Sequence, residues 1–97
     1  FVLEDAGRVV GYVSTWCDVE AGIGHIPNLV VDAAYRGQGL GRTLIAHALE
    51  HFRAHGLTHA KIETLEQNDV GRHLYPSLGF REVARQVHFV ADLSAEE

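Results

Sequence analysis

The stretch "YRGQGLGRTL", Tyr35 to Leu44, sets Gly37, Gly39 and Gly41 at alternate positions between Arg36 and Arg42, then runs into an apolar pattern. Leu40, Leu44, Ile45, Ala48, Leu49 and Phe52 continue that pattern at helical spacing. The spacing predicts a helix from Leu40 to His55, closed by Gly56 as a left-handed C-cap. Glycine costs about 0.5–1 kcal/mol of helix stability relative to alanine, so a helix that opens on glycines has a use for bare backbone. Its first N–H groups lack intrahelical partners, and the macrodipole adds positive character there. Glycines let a diphosphate reach those groups. The two arginines can neutralise phosphate charge, and Gln38 can donate from its amide. A glycine-rich turn with ordinary surface arginines remains open as the plain alternative.

Two well-known phosphate loops fit badly. A dinucleotide fingerprint needs G-x-G-x-x-G, whereas these glycines give G-x-G-x-G. A P-loop needs lysine before its Ser or Thr, and "GRT" stands there instead.

Outward from the loop, "FVLED" and "RVVGYVSTWCDV" read as a strand hairpin around the turn "EDAGR". "AGIGHIPNLVVD" reads as a third strand in which Pro27 removes a ladder donor, so an edge, a bulge or a splayed strand is expected there. "LTHAKIETL" alternates as a strand. "NDVGRHLYPSLGF" reads as a short helix capped by Asn68 or Asp69, stopped or kinked by Pro76 and closed by Gly79. "REVARQVHFVADL" is strand-like again. The unit from "NLVVD" to "KIETL" predicts a right-handed parallel crossover. The fold class is therefore α/β (α+β), with a mixed, partly parallel sheet flanked by helices.

The chain has 97 residues, enough for one small domain, and its 46% apolar and 22% charged residues are those of a soluble globular protein. No apolar run reaches the ~20 residues of a membrane span, so no membrane partner is expected. A net charge of -5 argues against nucleic acid as a partner. The single Cys17 suits a reducing, cytoplasmic compartment. The chain contains no methionine, so it is expected to be a piece of something longer.

Arg36-x-x-Gly39-x-Gly41 after "LVVDAAY" resembles the acetyl-CoA signature of the GNAT N-acetyltransferase superfamily, [QR]-x-x-G-x-[GA] after an "L-x-V" strand. "QNDVGRHLYPSLGF" is similar to that family's N-x-x-A-x-x-L-Y-x-x-x-G-F segment through Asn68, Leu74, Tyr75, Gly79 and Phe80. The resemblance covers nearly the whole chain as one acetyltransferase domain, residues 1–97. It lacks the family's N-terminal strand and two helices, so the domain is expected to be N-terminally incomplete. The implied fold is acyl-CoA N-acyltransferase-like, and the implied activity is direct acetyl transfer from acetyl-CoA to a primary amine.

The resemblance also implies roles. Backbone N–H groups of Arg36, Gly37, Gln38, Gly39, Leu40, Gly41 and Arg42 would hold the CoA pyrophosphate, helped by the Arg36 and Gln38 side chains. Main-chain groups of Leu29, Val30 and Val31 would meet the pantetheine arm, one N–H polarising the thioester carbonyl. Asn68 would bond the pantetheine side, and Tyr75 would protonate the departing thiolate.

The general base is where the chain departs from the family. Many relatives carry glutamate just before the equivalent of "NLVV", where this chain has Pro27. His25, two residues earlier, is the first candidate, because imidazole titrates near neutrality. Asp18, Glu20 and Glu63 are others. The acceptor, a small molecule or a protein amine, is not readable. An uncovered sheet edge makes a homodimer an expected partner as well.

Two other functions deserve comparison. One is a CoA-binding module without catalysis, with a sensing or structural role, which Pro27 at the base position favours. The other is a zinc hydrolase, since "HALEH", His47 to His51, matches H-x-x-E-H. Helical spacing turns His47 and Glu50 away from the apolar face, so no metal ligands are expected there.

Overall fold

A computed structural model of the chain describes residues 1–63, 69–84, 87 and 89–94. It contains two compact units, Phe1–Glu63 and Thr64–Glu97. The first opens with β1 (Val2–Asp5) and β2 (Arg8–Val13), an antiparallel hairpin. The turn residues Ala6 and Gly7 have φ of 52° and 78°. Positive φ at both central positions is the mirror-image turn whose twist suits a hairpin. For Ala6 that backbone costs on the order of 1 kcal/mol. Pairing passes from Leu3↔Gly11 to Glu4↔Val9, so Val10 is an extra residue and β2 carries a bulge.

Next come β3 (Trp16–Asp18), β4 (Ile23–Ile26) and β5 (Leu29–Val31). Both long strands expected from the sequence are therefore broken, one at Ser14–Thr15 and the other at Pro27–Asn28. The breaks face each other. Ser14 N–H donates to the Asn28 carbonyl at 2.9 Å, and the Asn28 amide donates to the Ser14 hydroxyl at 3.2 Å.

The helix α1 (Leu40–Ala54) then leads to β6 (His59–Ile62). One ladder runs β1-β2-β5 and the other β3-β4-β6. β6 is parallel to β4, with Ile23↔His59 and Ile26↔Ile62 in register. The parallel neighbour of β6 is thus the segment before Pro27, not the "NLVV" segment that the crossover reading joined to it. Antiparallel and parallel pairing together make the expected mixed α/β sheet.

The helix α1 packs on β2, β5 and β4. Leu44, Ile45, Ala48 and Phe52 are buried with Val10, Val13, Ile26 and Leu57, while Leu40 and Leu49 are half-buried. Gly56, at φ 75°, ends α1 as expected. Its N–H bonds the Arg53 carbonyl at 3.0 Å, and Leu57 N–H bonds Phe52 at 3.0 Å, the paired bonds of a Schellman stop.

The second unit holds α2 (Asp69–Ser77), with Pro76 inside its last turn. It closes the same way. Gly79 N–H reaches the Pro76 carbonyl at 3.1 Å and Phe80 N–H reaches Tyr75 at 3.1 Å. The strand expected over "REVARQVHFVADL" is not formed by its described residues. Val83, Val87, Phe89, Val90 and Leu93 there are each at least 74% exposed. β-branched composition makes a strand only where a neighbour pairs and buries it. Among the described residues no helix is long and apolar enough to cross a membrane.

A Cβ added at Gly24 on β4 would overlap the Phe52 ring. Gly24→Ala is expected to destabilise the protein by about 1–3 kcal/mol through overpacking, read as a lower urea midpoint. Adding Phe52→Leu should recover part of that loss.

Candidate active site

The glycine loop joins β5 to α1. Asp32 opens it by accepting the Ala34 N–H at 3.0 Å, which caps a short 3-10 turn, Ala33–Tyr35. Arg36 follows, and its Nε donates to the Val31 carbonyl at 3.3 Å. Gly37 and Gly39 have φ of 83° and 75°, a backbone that side-chain-bearing residues adopt only with strain. Nothing stands within 4 Å of where a Cβ would lie on either. Gly39 is the N-cap of α1 and supplies no side-chain cap. The first intrahelical bond runs from Thr43 N–H to the Gly39 carbonyl at 3.1 Å, so Gly39, Leu40 and Gly41 present N–H groups that the helix itself does not use. Bare N–H groups, open space and an arginine at the lip fit a diphosphate.

Before the loop, β5 pairs only with β2 among the described strands. Asn28 accepts from Ser14, and Asp32 N–H donates to Val10 at 2.7 Å. The period-2 alternation of an antiparallel pair then turns Val30 towards β2, and the main-chain groups of Leu29 and Val31 towards the other edge. β6 has ended its ladder with β4 at Ile62. The sequence named all three residues as contacts for the pantetheine arm. The register occupies Val30 and leaves the Leu29 main chain and the Val31 N–H without a partner among the described strands, while the Val31 carbonyl accepts from Arg36.

His25 lies one residue after Gly24, which faces Phe52 of α1, so it points to the opposite face of the sheet. Register aligns it with Trp16 on β3 and Lys61 on β6. The Trp16 and His25 rings are 4.7 Å apart. Trp16, His25, Ile26, Pro27, Lys61 and Glu63 line a cleft of about 320 Å³. Lys61 Nζ lies 3.5 Å from the Glu63 carboxylate. Of the base candidates, His25 and Glu63 share this cleft. Asp18 and Glu20 do not line it, and Asp18 accepts the Ala21 N–H at 3.1 Å in its own turn. Trp16 and Lys61 escaped the sequence reading because only strand register brings them to His25.

Tyr75 sits in the last turn of α2, half-buried, its ring 6.1 Å from that of Phe80. Helix-stop geometry explains the "Y-x-x-x-G-F" spacing, since in a Schellman stop the residue after the glycine commonly touches the one four positions before the glycine. Burial pushes the Tyr75 phenol above its usual value of 10.0, so it keeps its proton at neutral pH. Asn68 lies outside the described residues. On α1, His47 stacks on Phe1 with ring centres 6.0 Å apart, and exposed Glu50 pairs with Arg53 at 3.1 Å. His47 and Glu50 of "HALEH" therefore lie off the buried face of the helix, which holds Ala48.

The model of the Acetyltransferase (GNAT) family matches residues 1–80. The chain belongs to this family. Among its relatives, a mycothiol acetyltransferase of Thermobispora bispora is 38% identical over 85 residues, 82% of this chain and 29% of that protein. A glucosamine 6-phosphate N-acetyltransferase of Trypanosoma brucei brucei is 34% identical over 92 residues, 90% of this chain and 60% of its own length. The chain thus spans less than two thirds of either relative. The solved structure of the ribosomal-protein-S18-alanine N-acetyltransferase from Escherichia coli superposes with a TM-score of 0.79 at 29% identity, covering 86% of this chain and 52% of that one. The family match takes in the glycine loop, the cleft and α2, and the fold is that of the GNAT acetyltransferases.

The Tyr75 environment has a direct check. Subtracting the ultraviolet titration of Tyr75→Phe from that of the wild type should isolate one phenol with a midpoint above 10.0. A midpoint at or below that value would place the ring in open water.

Proposed function

We propose that the protein transfers an acetyl group from acetyl-CoA directly to a primary amine. The observation that carries this reading is the broken strand: beside the open glycine loop, β5 has an edge that no described strand pairs with. Acetyl-CoA supplies an acyl carbon already activated as a thioester, so no covalent enzyme intermediate is needed. N–H groups of residues 36–42 hold the pyrophosphate, with Arg36 and Gln38 helping. The Leu29 and Val31 main chain lines the pantetheine arm and offers an N–H to the carbonyl oxygen. Asn68 bonds the arm as well.

In the cleft, His25 takes a proton from the acceptor ammonium, so that the amine lone pair can form the new C–N bond as the C–S bond breaks, and the second proton lost by nitrogen makes good the one that Tyr75 gives to sulfur. The Tyr75 hydroxyl holds the proton that the departing sulfur takes, and burial keeps that proton in place at neutral pH. Relatives named for mycothiol, glucosamine 6-phosphate and a ribosomal-protein alanine support an amine acceptor, small molecule or protein. A cytoplasmic location belongs to the same reading.

Thiol release from acetyl-CoA by the intact protein, with a panel of amines, tests the activity. Turnover with at least one amine is expected. CoA binding without turnover across a broad panel would instead favour a sensing or structural module.

Gly39→Val forces a β-branched residue into positive φ and is expected to weaken acetyl-CoA binding at least tenfold, with the helical circular dichroism retained. Unchanged affinity would remove the loop from phosphate binding. For the proton transfers, His25→Gln and Tyr75→Phe are each expected to lower kcat by about 10²-fold or more, with acetyl-CoA affinity little changed. Full activity in Tyr75→Phe would leave that ring a packing role only. If Glu63→Gln rather than His25→Gln abolishes turnover, the base is Glu63.

A further inference from the structure

The two residues that flank the β1–β2 turn both reach the segment leading into the glycine loop. Tyr35 donates its hydroxyl proton to Asp5 Oδ2 at 2.6 Å. Arg8 Nη2 donates to Asp32 Oδ2 at 2.5 Å. Asp32 holds the Ala34 N–H with its other oxygen, and Arg36 is tied back to Val31. Residues 32, 34, 35 and 36 are thus each fixed by a side-chain bond, immediately before the glycines. The turn that carries Asp5 and Arg8 holds Ala6 at positive φ, so its geometry is maintained against strain.

The side chains of Arg8 and Asp32 are 66% and 31% exposed. Ion pairs this exposed add little to folding, so stability is a poor reason for the arrangement. Loop order is a better one. Glycines lose more conformational freedom than any other residue on being fixed, and a ligand that must order a loop binds more weakly for it. The electrostatics agree with an engaged clasp. The Ala34 N–H, then Arg8 and Arg36, hold the Asp32 carboxyl below its usual value against the opposing effect of desolvation. The bond to Asp5 is the largest cause of the raised Tyr35 phenol.

We infer that the β1–β2 turn is a positioning element for the diphosphate loop, with Asp5–Tyr35 and Arg8–Asp32 as a two-point clasp that preorganises residues 36–41 for the phosphates. This rests on the reading of the loop as the acetyl-CoA site. Asp5, Arg8, Asp32 and Tyr35 touch no reacting atom in this scheme. They act through the loop, so their loss shows in the binding of acetyl-CoA and not in the chemical step.

The test uses Tyr35→Phe, Asp5→Asn, their double variant, Arg8→Ala and Arg8→Lys in the intact protein. Tyr35→Phe, Asp5→Asn and Arg8→Ala are each expected to raise the Kd and KM for acetyl-CoA by roughly 3–10-fold. The kcat, the acceptor KM and the melting temperature should stay near wild type. The double variant should be no worse than its weaker single, because the two residues share one bond. Arg8→Lys should recover part of the Arg8→Ala loss. Without ligand, amide exchange of residues 36–41 should quicken in Tyr35→Phe.

If the wild type binds acetyl-CoA while the variants keep its affinity and exchange rates, the clasp is overturned and the loop reading stands. Equal losses in kcat and melting temperature would reduce the contacts to structural ones and overturn the positioning role. If the wild type binds no acetyl-CoA at all, the loop reading falls and the clasp's role falls with it.

Discussion

Proline has no N–H, and a strand that reaches one cannot continue a ladder on that side. In this chain the interruption at Pro27 becomes an exchange of partners, because Asn28 catches Ser14 of the neighbouring strand through both its carbonyl and its amide. Before the break the strand is held by β3 and β6, after it by β2. One helix spans the change, since α1 packs on β4, β5 and β2 alike. An unbroken strand paired throughout with β6 would have consumed the main-chain groups of Leu29 and Val31. The break leaves the Leu29 main chain and the Val31 N–H without a partner among the described strands, and the buried face of α1 keeps the two half-ladders in register.

The helix that bridges the break is finished differently at its two ends. At its C-terminus the Schellman bonds of Gly56 and Leu57 close the last carbonyls. The following turn is then pinned to the Gly22 carbonyl, which accepts from the Thr58 and His59 N–H groups at 2.9 and 3.1 Å. At its N-terminus Gly39 provides no side-chain cap, at a cost of only about a few tenths of a kcal/mol relative to a capping side chain. The unused stabilisation lies only at the end where a diphosphate would supply the missing acceptors. The same sequence that stops two helices neatly, at Gly56 and Gly79, leaves one helix start open.

Local features were legible in the sequence and non-local ones were not. The apolar spacing from Leu40 to Phe52 located α1 to within a residue at its end, because helix periodicity and a glycine stop are written in adjacent residues. Pro27 announced an interruption for the same reason. What it could not announce was the change of partner, since that depends on Ser14, thirteen positions upstream, breaking at the matching point. "REVARQVHFVADL" misled because β-branched composition describes a suitable strand, not the neighbour that would pair with it. The site divides along the same line. Glycines and arginines within one loop signalled an anion site, whereas the cleft around His25 draws Trp16 and Lys61 from two other strands through register alone. The four base candidates also part company, with Asp18 spent on its own turn and Glu63 lining the same cleft as His25.

The charge balance does not stand against the proposed anion role of the loop in an acidic protein. A net charge of -5 describes the whole surface, but at physiological salt the field of an exposed charge fades over about 8 Å. Carboxylates beyond that range weigh little on a phosphate seated at the start of α1. What weighs is the contact shell, and there the donors are backbone N–H groups that carry no net charge and cannot be titrated away. Arg36 adds its charge at small conformational expense. Its Nε is already fixed on Val31, which orients the planar head while using one of the five N–H donors of a guanidinium. Asp32 at the start of the loop is close enough to draw both Arg8 and Arg36, and its two oxygens are engaged by Ala34 and Arg8. An acid whose charge is met on both oxygens repels an incoming anion far less than a free one. Asp32 therefore holds Arg8 at the loop while adding little net repulsion towards an anion.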